Sequence, residues 1–170
     1  MIYFIVLGLL ISLLLKRNPL LLLDQVQFRY PYIILGALFL QIVMFAVFEI
    51  NPVQYAYLLE LTMLILVIGL WFNRHLPGVA CIMAGAIVNM ISVLIHGGRM
   101  PVMGKAAELA QIPFSPEDAR HQLMTPNDIW WLGDWIPLFK LVISPGDVLV
   151  GIGIIWFLIK ISPKRIKNVG

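Results

Sequence analysis

The chain has 170 residues, 61% of them hydrophobic and 12% charged, with a mean hydropathy of +0.92. That balance lies far outside the composition of soluble domains and leaves no room for a large polar domain, so an integral membrane protein is expected. The net charge of +3 is scattered over short loops and gathers only at the C-terminus, which excludes a nucleic-acid-binding face and suits charges that orient membrane spans.

In chain order, the apolar runs predict five spans near residues 1–15, 31–49, 54–72, 76–96 and 145–161 of a single transmembrane domain covering 1–170, since a hydrocarbon core of about 30 Å takes about 20 helical residues. The first run, "MIYFIVLGLLISLLLKRN", has no basic residue before it and no small-residue cleavage site after it, so a retained helix is expected rather than a signal peptide. The stretch "NPLLLLDQVQFRYP" at 18–31 is too short to cross again and is bracketed by prolines, as an interfacial connector would be. Cys81 stands alone inside the fourth run, which rules out a disulfide framework and a cysteine metal site and leaves it a small core hydrophobe.

Sidedness follows from the basic residues. Lys16, Arg17 and Arg29, set against Asp24, then Arg74 and His75, then Lys160, Lys164, Arg165 and Lys167 fall on one face of a five-span chain. The positive-inside rule makes that face the cytoplasm, with the N-terminus outside, the C-terminus inside, and the turn "FEINPVQ" and the loop 97–144 on the outer face. Trp71, Trp156, Tyr30 and Tyr32 suit interfacial belts. The expected fold class is therefore all-α integral membrane: five transmembrane helices and a short helical extracytoplasmic cap between the fourth and fifth.

The cap is predicted from a formula written three times: "SPED" at 115–118, "TPND" at 125–128 and "SPGD" at 144–147. In each, a hydroxyl at N-cap accepts from the N3 amide, proline occupies N1, and the acid at N3 reaches back toward the positive helix end. Short helices over 116–124 and 126–132 are expected, followed by "GDWIPLFK" as a turn into the last helix. Trp130, Trp131, Trp135 and Phe139 would lay this cap at a headgroup boundary.

Two groups of residues carry candidate chemistry. Glu60, Asn89 and Gln41 are predicted at similar depth in three apolar runs, with Ser92 one turn above Asn89, and unpartnered polar groups in hydrocarbon must face one another. They serve either a site or interhelical hydrogen bonding. The second group is the outer rim, "HGGRMPV" at 96–102, "LGDWIP" at 132–137 and Asp147, where two glycines end a helix and Arg99 is expected to pair with Asp134 or Asp147. His96 reads as a dipole partner at a helix end or a proton carrier. With His75 and His121 on other segments, no metal-ligand spacing exists, so neither a metal nor a cofactor is expected. Serine-histidine catalysis lacks a nucleophile elbow.

The motifs "GGRMPV", "LGDWIP" and "SPGDVLVGIGI" resemble a family of small bacterial integral membrane proteins known only as a domain of unknown function, over nearly the whole chain. That resemblance implies a multi-pass protein of the bacterial cytoplasmic (inner) membrane and no particular activity. A partial likeness to lipoprotein signal peptidases runs through Gly85, Ala86 and Asn89, then Gly97, then Asp147 followed by Gly151 or Gly153. The Asp-Arg pair of that family is replaced by Ser92-Val93, its first catalytic aspartate falls on Pro101, and its asparagine before the second falls on Ser144. A two-aspartate mechanism would need Asp134 to join Asp147, one carboxylate activating water and the other protonating the leaving group.

The preferred expectation is a pocket that binds, transports or senses a small polar or lipid-headgroup ligand through Glu60, Asn89, Arg99, Asp134 and Asp147. An intramembrane aspartyl hydrolase using Asp134 and Asp147 is the alternative, and a scaffold for another membrane protein the second. An enzymatic role is left open. Membrane lipids, a second copy of the chain or a membrane-protein partner are the partners considered.

Overall fold

Proline and glycine decide where the helices begin and stop. The computed structural model describes residues 1–21, 26–48, 52–112 and 121–164. Helix α1 (Ile2–Leu14) ends where Lys16 takes φ of 58° and the Arg17 amide folds back to the Ser12 carbonyl at 2.9 Å, a Schellman closure. A 3-10 turn at Pro19–Leu21 follows. Helices α2 (Pro31–Phe48) and α3 (Pro52–Phe72) each open on a proline, which at the first helical position sacrifices no hydrogen bond. Helix α4 (Val79–Ile95) starts behind Gly78 at φ 79° and stops at Gly97 and Gly98, both left-handed, with the Gly98 amide donating to the Val93 carbonyl at 2.9 Å.

Between α4 and the last helix, α6 (Pro145–Ile161), lies a small mixed cap. Strand β1 (Met100–Val102) runs into helix α5 (Gly104–Leu109) and pairs in parallel with β2 (His121–Leu123), Met100 opposite His121. A 3-10 turn at Trp130–Leu132 leads to an antiparallel hairpin, β3 (Ile136–Leu138) and β4 (Leu141–Ile143), turned by Phe139 at φ 53°. Helix α6 is the central packing element, lying between α1 and α4, while α4 continues to α3 and α3 to α2. The far end of α3 is tied down by buried Asn73, which donates to the Gly69 and Arg29 carbonyls at 2.8 Å each and accepts from the Arg29 amide at 2.7 Å. Large apolar side chains stay exposed on the outer faces of α1 and α2, among them Leu14, Leu35, Phe39 and Ile42.

Several sequence expectations are corrected. Among the described residues no helix is long and apolar enough to cross a membrane. Helices α1, α4 and α6 have 13, 17 and 17 residues, about 20–26 Å at 1.5 Å per residue against a hydrocarbon core of about 30 Å, and the longer α2 and α3, of 18 and 21 residues, hold no sufficient apolar stretch within their described residues. The all-α integral-membrane fold class with five transmembrane helices is therefore overturned. With it go the assigned sidedness and the placement as a multi-pass protein of the bacterial inner membrane. The described chain has six α-helices and four short strands.

The helical cap is corrected as well. Of the helix expected over 116–124, residues 121–123 form a strand, and its "SPED" start, with Asp118, lies outside the described residues. The segment 126–132 is a turn and one 3-10 turn: Asp128 accepts from the Thr125 amide at 2.6 Å and the Thr125 hydroxyl at 3.0 Å, but no α-helix follows. "GDWIPLFK" builds most of the β-hairpin instead of a simple turn. Residues 49–51 of the turn expected at "FEINPVQ", Asp24 and the tail residues Arg165 and Lys167 also lie outside the described residues.

Candidate functional site

At Ser144 the capping formula is fully realised. The Asp147 amide donates to the Ser144 hydroxyl at 3.0 Å and the Ser144 amide donates to Asp147 Oδ2 at 3.3 Å, with Pro145 between them. The same residues reach across to α4. Ser144 Oγ donates to Asn89 Oδ1 at 2.8 Å, and Asn89 Nδ2 donates to Asp147 Oδ1 at 2.9 Å. Asn89 can approach this closely because Gly146 presents no side chain: a Cβ there would overlap the Asn89 amide. Asp147 is thus a helix cap whose second oxygen is held by the neighbouring helix.

Asp134 arrives from the cap. Its amide donates to the Pro101 carbonyl and its carbonyl accepts from the Met103 amide, both at 2.8 Å, so β1 and the residue just after it hold its backbone at both ends. Gly133 lets this contact form, since a Cβ there would strike the Pro101 carbonyl and Met124. The residue is 6% exposed, and its Oδ1 has no hydrogen-bond partner among the described residues. Burial first, and the charge of Asp147 second, push its carboxyl up to about 8. His121 Nε2 stands 3.9 Å from Asp134 Oδ2, too far for a hydrogen bond. Burial therefore outweighs the histidine, and Asp134 is mostly protonated at neutral pH.

These groups meet on one cavity of about 240 Å³, whose polar wall is Gln41, Asn89, His121, Asp134 and Asp147. Leu59, Met63, Val93 and Met100 supply the apolar wall. Helices α2, α3, α4 and α6 and strands β1 and β2 thus all contribute. A protonated carboxyl, a carboxylate bound to an amide, a histidine and a glutamine can together donate and accept hydrogen bonds in a small, partly apolar space. Among the described residues no group of three His, Cys, Asp or Glu side chains could hold a metal ion.

Of the residues singled out in the sequence, Asn89, Asp134, Asp147 and Gln41 share this cavity, whereas Glu60 and Arg99 are not on its wall. Glu60 lies on α3 next to the wall residue Leu59, half-exposed, and partial burial raises its carboxyl pKa. Arg99 forms no ion pair with Asp134 or Asp147: His121 stands against the first and Asn89 binds the second. Ser92 is fully buried one turn from Asn89, and its carbonyl accepts from the His96 ring at 2.7 Å, fixing the Nδ1-protonated tautomer. His96 Nε2 then accepts from the Ile129 amide at 3.3 Å and lies 3.8 Å from Asp128, pinning the 3-10 turn to α4. His121, a loop residue on the sequence expectation, reaches the site through parallel pairing with β1, for which three residues of sequence hold no signal.

Ser144→Ala should reveal how far the cap and the site are one structure. The substitution removes the donor to Asn89 and the acceptor for the Asp147 amide, and a lost cap typically costs about 1–2 kcal/mol. Urea unfolding should show that loss, with most of it recovered in Ser144→Thr, which keeps the hydroxyl. Equal loss in both variants would mean that shape at this buried position matters and the hydroxyl does not.

Comparison with known proteins adds a relationship without an activity. No solved structure matches the chain. An uncharacterised protein of Thermotoga maritima is 32% identical over 124 residues, covering 65% of this chain and 71% of that protein. The model of a family of unknown function, DUF5317, matches residues 25–159, which include every wall residue of the cavity. On that match, over most of its length, the chain belongs to the DUF5317 family.

Proposed function

We propose that the cavity between α4, α6 and the cap binds a small, neutral polar molecule that accepts a hydrogen bond from the Asp134 carboxyl and donates one toward Asp147. The observation that carries this reading is the unpartnered oxygen of a buried, protonated Asp134 on a cavity wall. A buried polar atom without a partner costs about 1–3 kcal/mol, a cost that a bound ligand offsets. The cavity volume, about 240 Å³, lies below the roughly 300–1,000 Å³ of drug-sized sites and selects a small ligand. Binding is preferred to aspartyl hydrolysis because both Asp147 oxygens already accept hydrogen bonds, from Asn89 and from the Ser144 amide, which blunts that carboxylate as a base toward water.

N-acetylglycinamide, which carries amide donors and acceptors, is a suitable probe by saturation-transfer NMR. Its affinity should fall about tenfold or more between pH 7 and pH 9.5, as the Asp134 carboxyl, at about 8, gives up its proton. Asp134→Asn keeps a donor that cannot titrate, so its affinity should be nearly flat over the same range. A wild-type profile as flat as that of the variant, or no binding at any pH, would remove Asp134 as the donor.

A further inference from the structure

We propose a second, separate binding site, for a phosphate oxyanion, in the cavity walled by Arg29, Arg74 and His75. This cavity, about 440 Å³, lies at the opposite end of α4 from Asn89, with Phe72 and Ala80 also on its wall. All three basic side chains are exposed to a ligand, and none of them forms an ion pair among the described residues. Two guanidiniums and an imidazole share this space with no carboxylate among the described wall residues, an arrangement that favours an anion between them.

The arrangement is also preorganised. Arg29 lies outside any helix, yet its backbone is held by both ends of the buried Asn73 amide. Its neighbours are anchored too: the Tyr30 ring packs edge-on against Phe72 at 5.1 Å, and the Phe28 ring lies 6.0 Å from Phe157. The Arg74 guanidinium sits 4.0 Å over the Trp71 ring and donates once, to the Trp71 carbonyl at 2.9 Å. A guanidinium has five N–H donors in a rigid fork, so most of those on Arg74 and Arg29 remain for a ligand, and His75 contributes a ring N–H in either tautomer. Two forks and a ring donor match the several acceptor oxygens of a phosphate group. The phosphate could belong to a soluble ester or to a phospholipid headgroup, and the chemistry at the site is the same for both.

The test compares the full chain with Arg29→Gln/Arg74→Gln and with Lys105→Gln/Lys140→Gln, which removes two exposed charges elsewhere. Inorganic phosphate and glycerol 3-phosphate, followed by ³¹P line broadening, probe the soluble source. Sedimentation with phosphatidylglycerol vesicles, with phosphatidylcholine vesicles as reference, probes the headgroup. The arginine variant should bind at least tenfold more weakly to whichever probe the wild type binds, while the lysine variant stays within twofold. Binding of the soluble probes assigns a free phosphate ester, and binding of phosphatidylglycerol vesicles alone assigns the headgroup. Equal loss in the two variants, or wild-type binding to none of the probes, would overturn the site. Arg29→Lys/Arg74→Lys keeps the charge and loses the forks, so an affinity equal to wild type would overturn the bidentate geometry.

Discussion

The protein should lose stability steadily as pH rises from about 4 to about 8, and Asp134→Asn should abolish that part of the pH dependence. The sign follows from proton linkage. The Asp134 carboxyl titrates at about 8 in the folded chain and at the ordinary 3.8 when unfolded. Between those values the folded state holds a proton that the unfolded state has released. Its contribution is fully present below the unfolded value and is lost as pH climbs through the folded one. One proton over that window amounts to roughly 6 kcal/mol at most, since each unit is about 1.4 kcal/mol. The burial and the Asp147 charge that set the shift are both built into the fold, through the grip of β1 on residue 134 and the cap at Ser144. Ionisable groups elsewhere in the chain contribute equally to both proteins, so the quantity to read is the wild-type slope in denaturant unfolding minus the Asp134→Asn slope. At pH 8.5 the variant should be the more stable of the two. Parallel slopes would show that Asp134 is not held protonated, and the donor proposed for the cavity would fall with it.

How much of this was legible in the sequence depends on how local the cause is. Helix ends were readable because their causes are single residues. Pro31 and Pro145 start helices where the sequence placed them, Gly97 and Gly98 stop a third, and Pro52, expected in a turn, starts a fourth just ahead of the bound of 54. The third copy of the capping formula, at Ser144, could be read in full, whereas at Thr125 the same pattern closes only a turn, because no α-helix extends beyond it. What those helices do was misread. Composition reports how many apolar residues there are, not whether one uninterrupted helix carries enough of them to cross a bilayer, and α1, expected over 1–15, has only 13 helical residues. The strands of the cap were invisible for a related reason. Pairing β1 with β2 is non-local, and three-residue strands leave no period to detect. The site followed the same division. Asn89 and Asp147 could be associated because they sit near the facing ends of two recognisable helices, but the partner of Asp134 depended on strand pairing, and His121 stands where Arg99 had been expected.

The second large effect is expected along the line where α4 and α6 cross. Two glycine pairs form it, Gly78 with Gly153 and Gly85 with Gly146, and the members on each helix are seven residues apart. Seven residues is two turns, so both contacts fall on one face of each helix, about 10 Å apart along the axis. At each contact the backbones themselves touch. A Cβ on Gly85 would overlap the Gly146 carbonyl and lie 2.8 Å from the Val150 amide nitrogen, and one on Gly153 would lie 2.7 Å from the Gly78 carbonyl. Backbone cannot rotate aside as a side chain can, so Gly85→Ala should cost about 3 kcal/mol or more, the upper end for overpacking. Gly78→Ala should cost more still, because its φ of 79° adds about 1–2 kcal/mol for a left-handed residue with a side chain. Gly36 is the control: it lies within α2, and a methyl group added there would meet nothing within 4 Å, so Gly36→Ala should stabilise by roughly 0.5–1 kcal/mol. Thermal or urea unfolding of the three variants separates these outcomes, and a Gly85→Ala as mild as Gly36→Ala would show that the helices have room to part. The seam also sets the site. Asn89 lies one turn beyond Gly85 and Asp147 directly follows Gly146, so any separation of the helices lengthens the 2.9 Å Asn89–Asp147 hydrogen bond first. A Gly85→Ala chain that still folds should therefore show a weakened dependence of stability on Ser144, with the Ser144→Ala loss shrinking in the double variant.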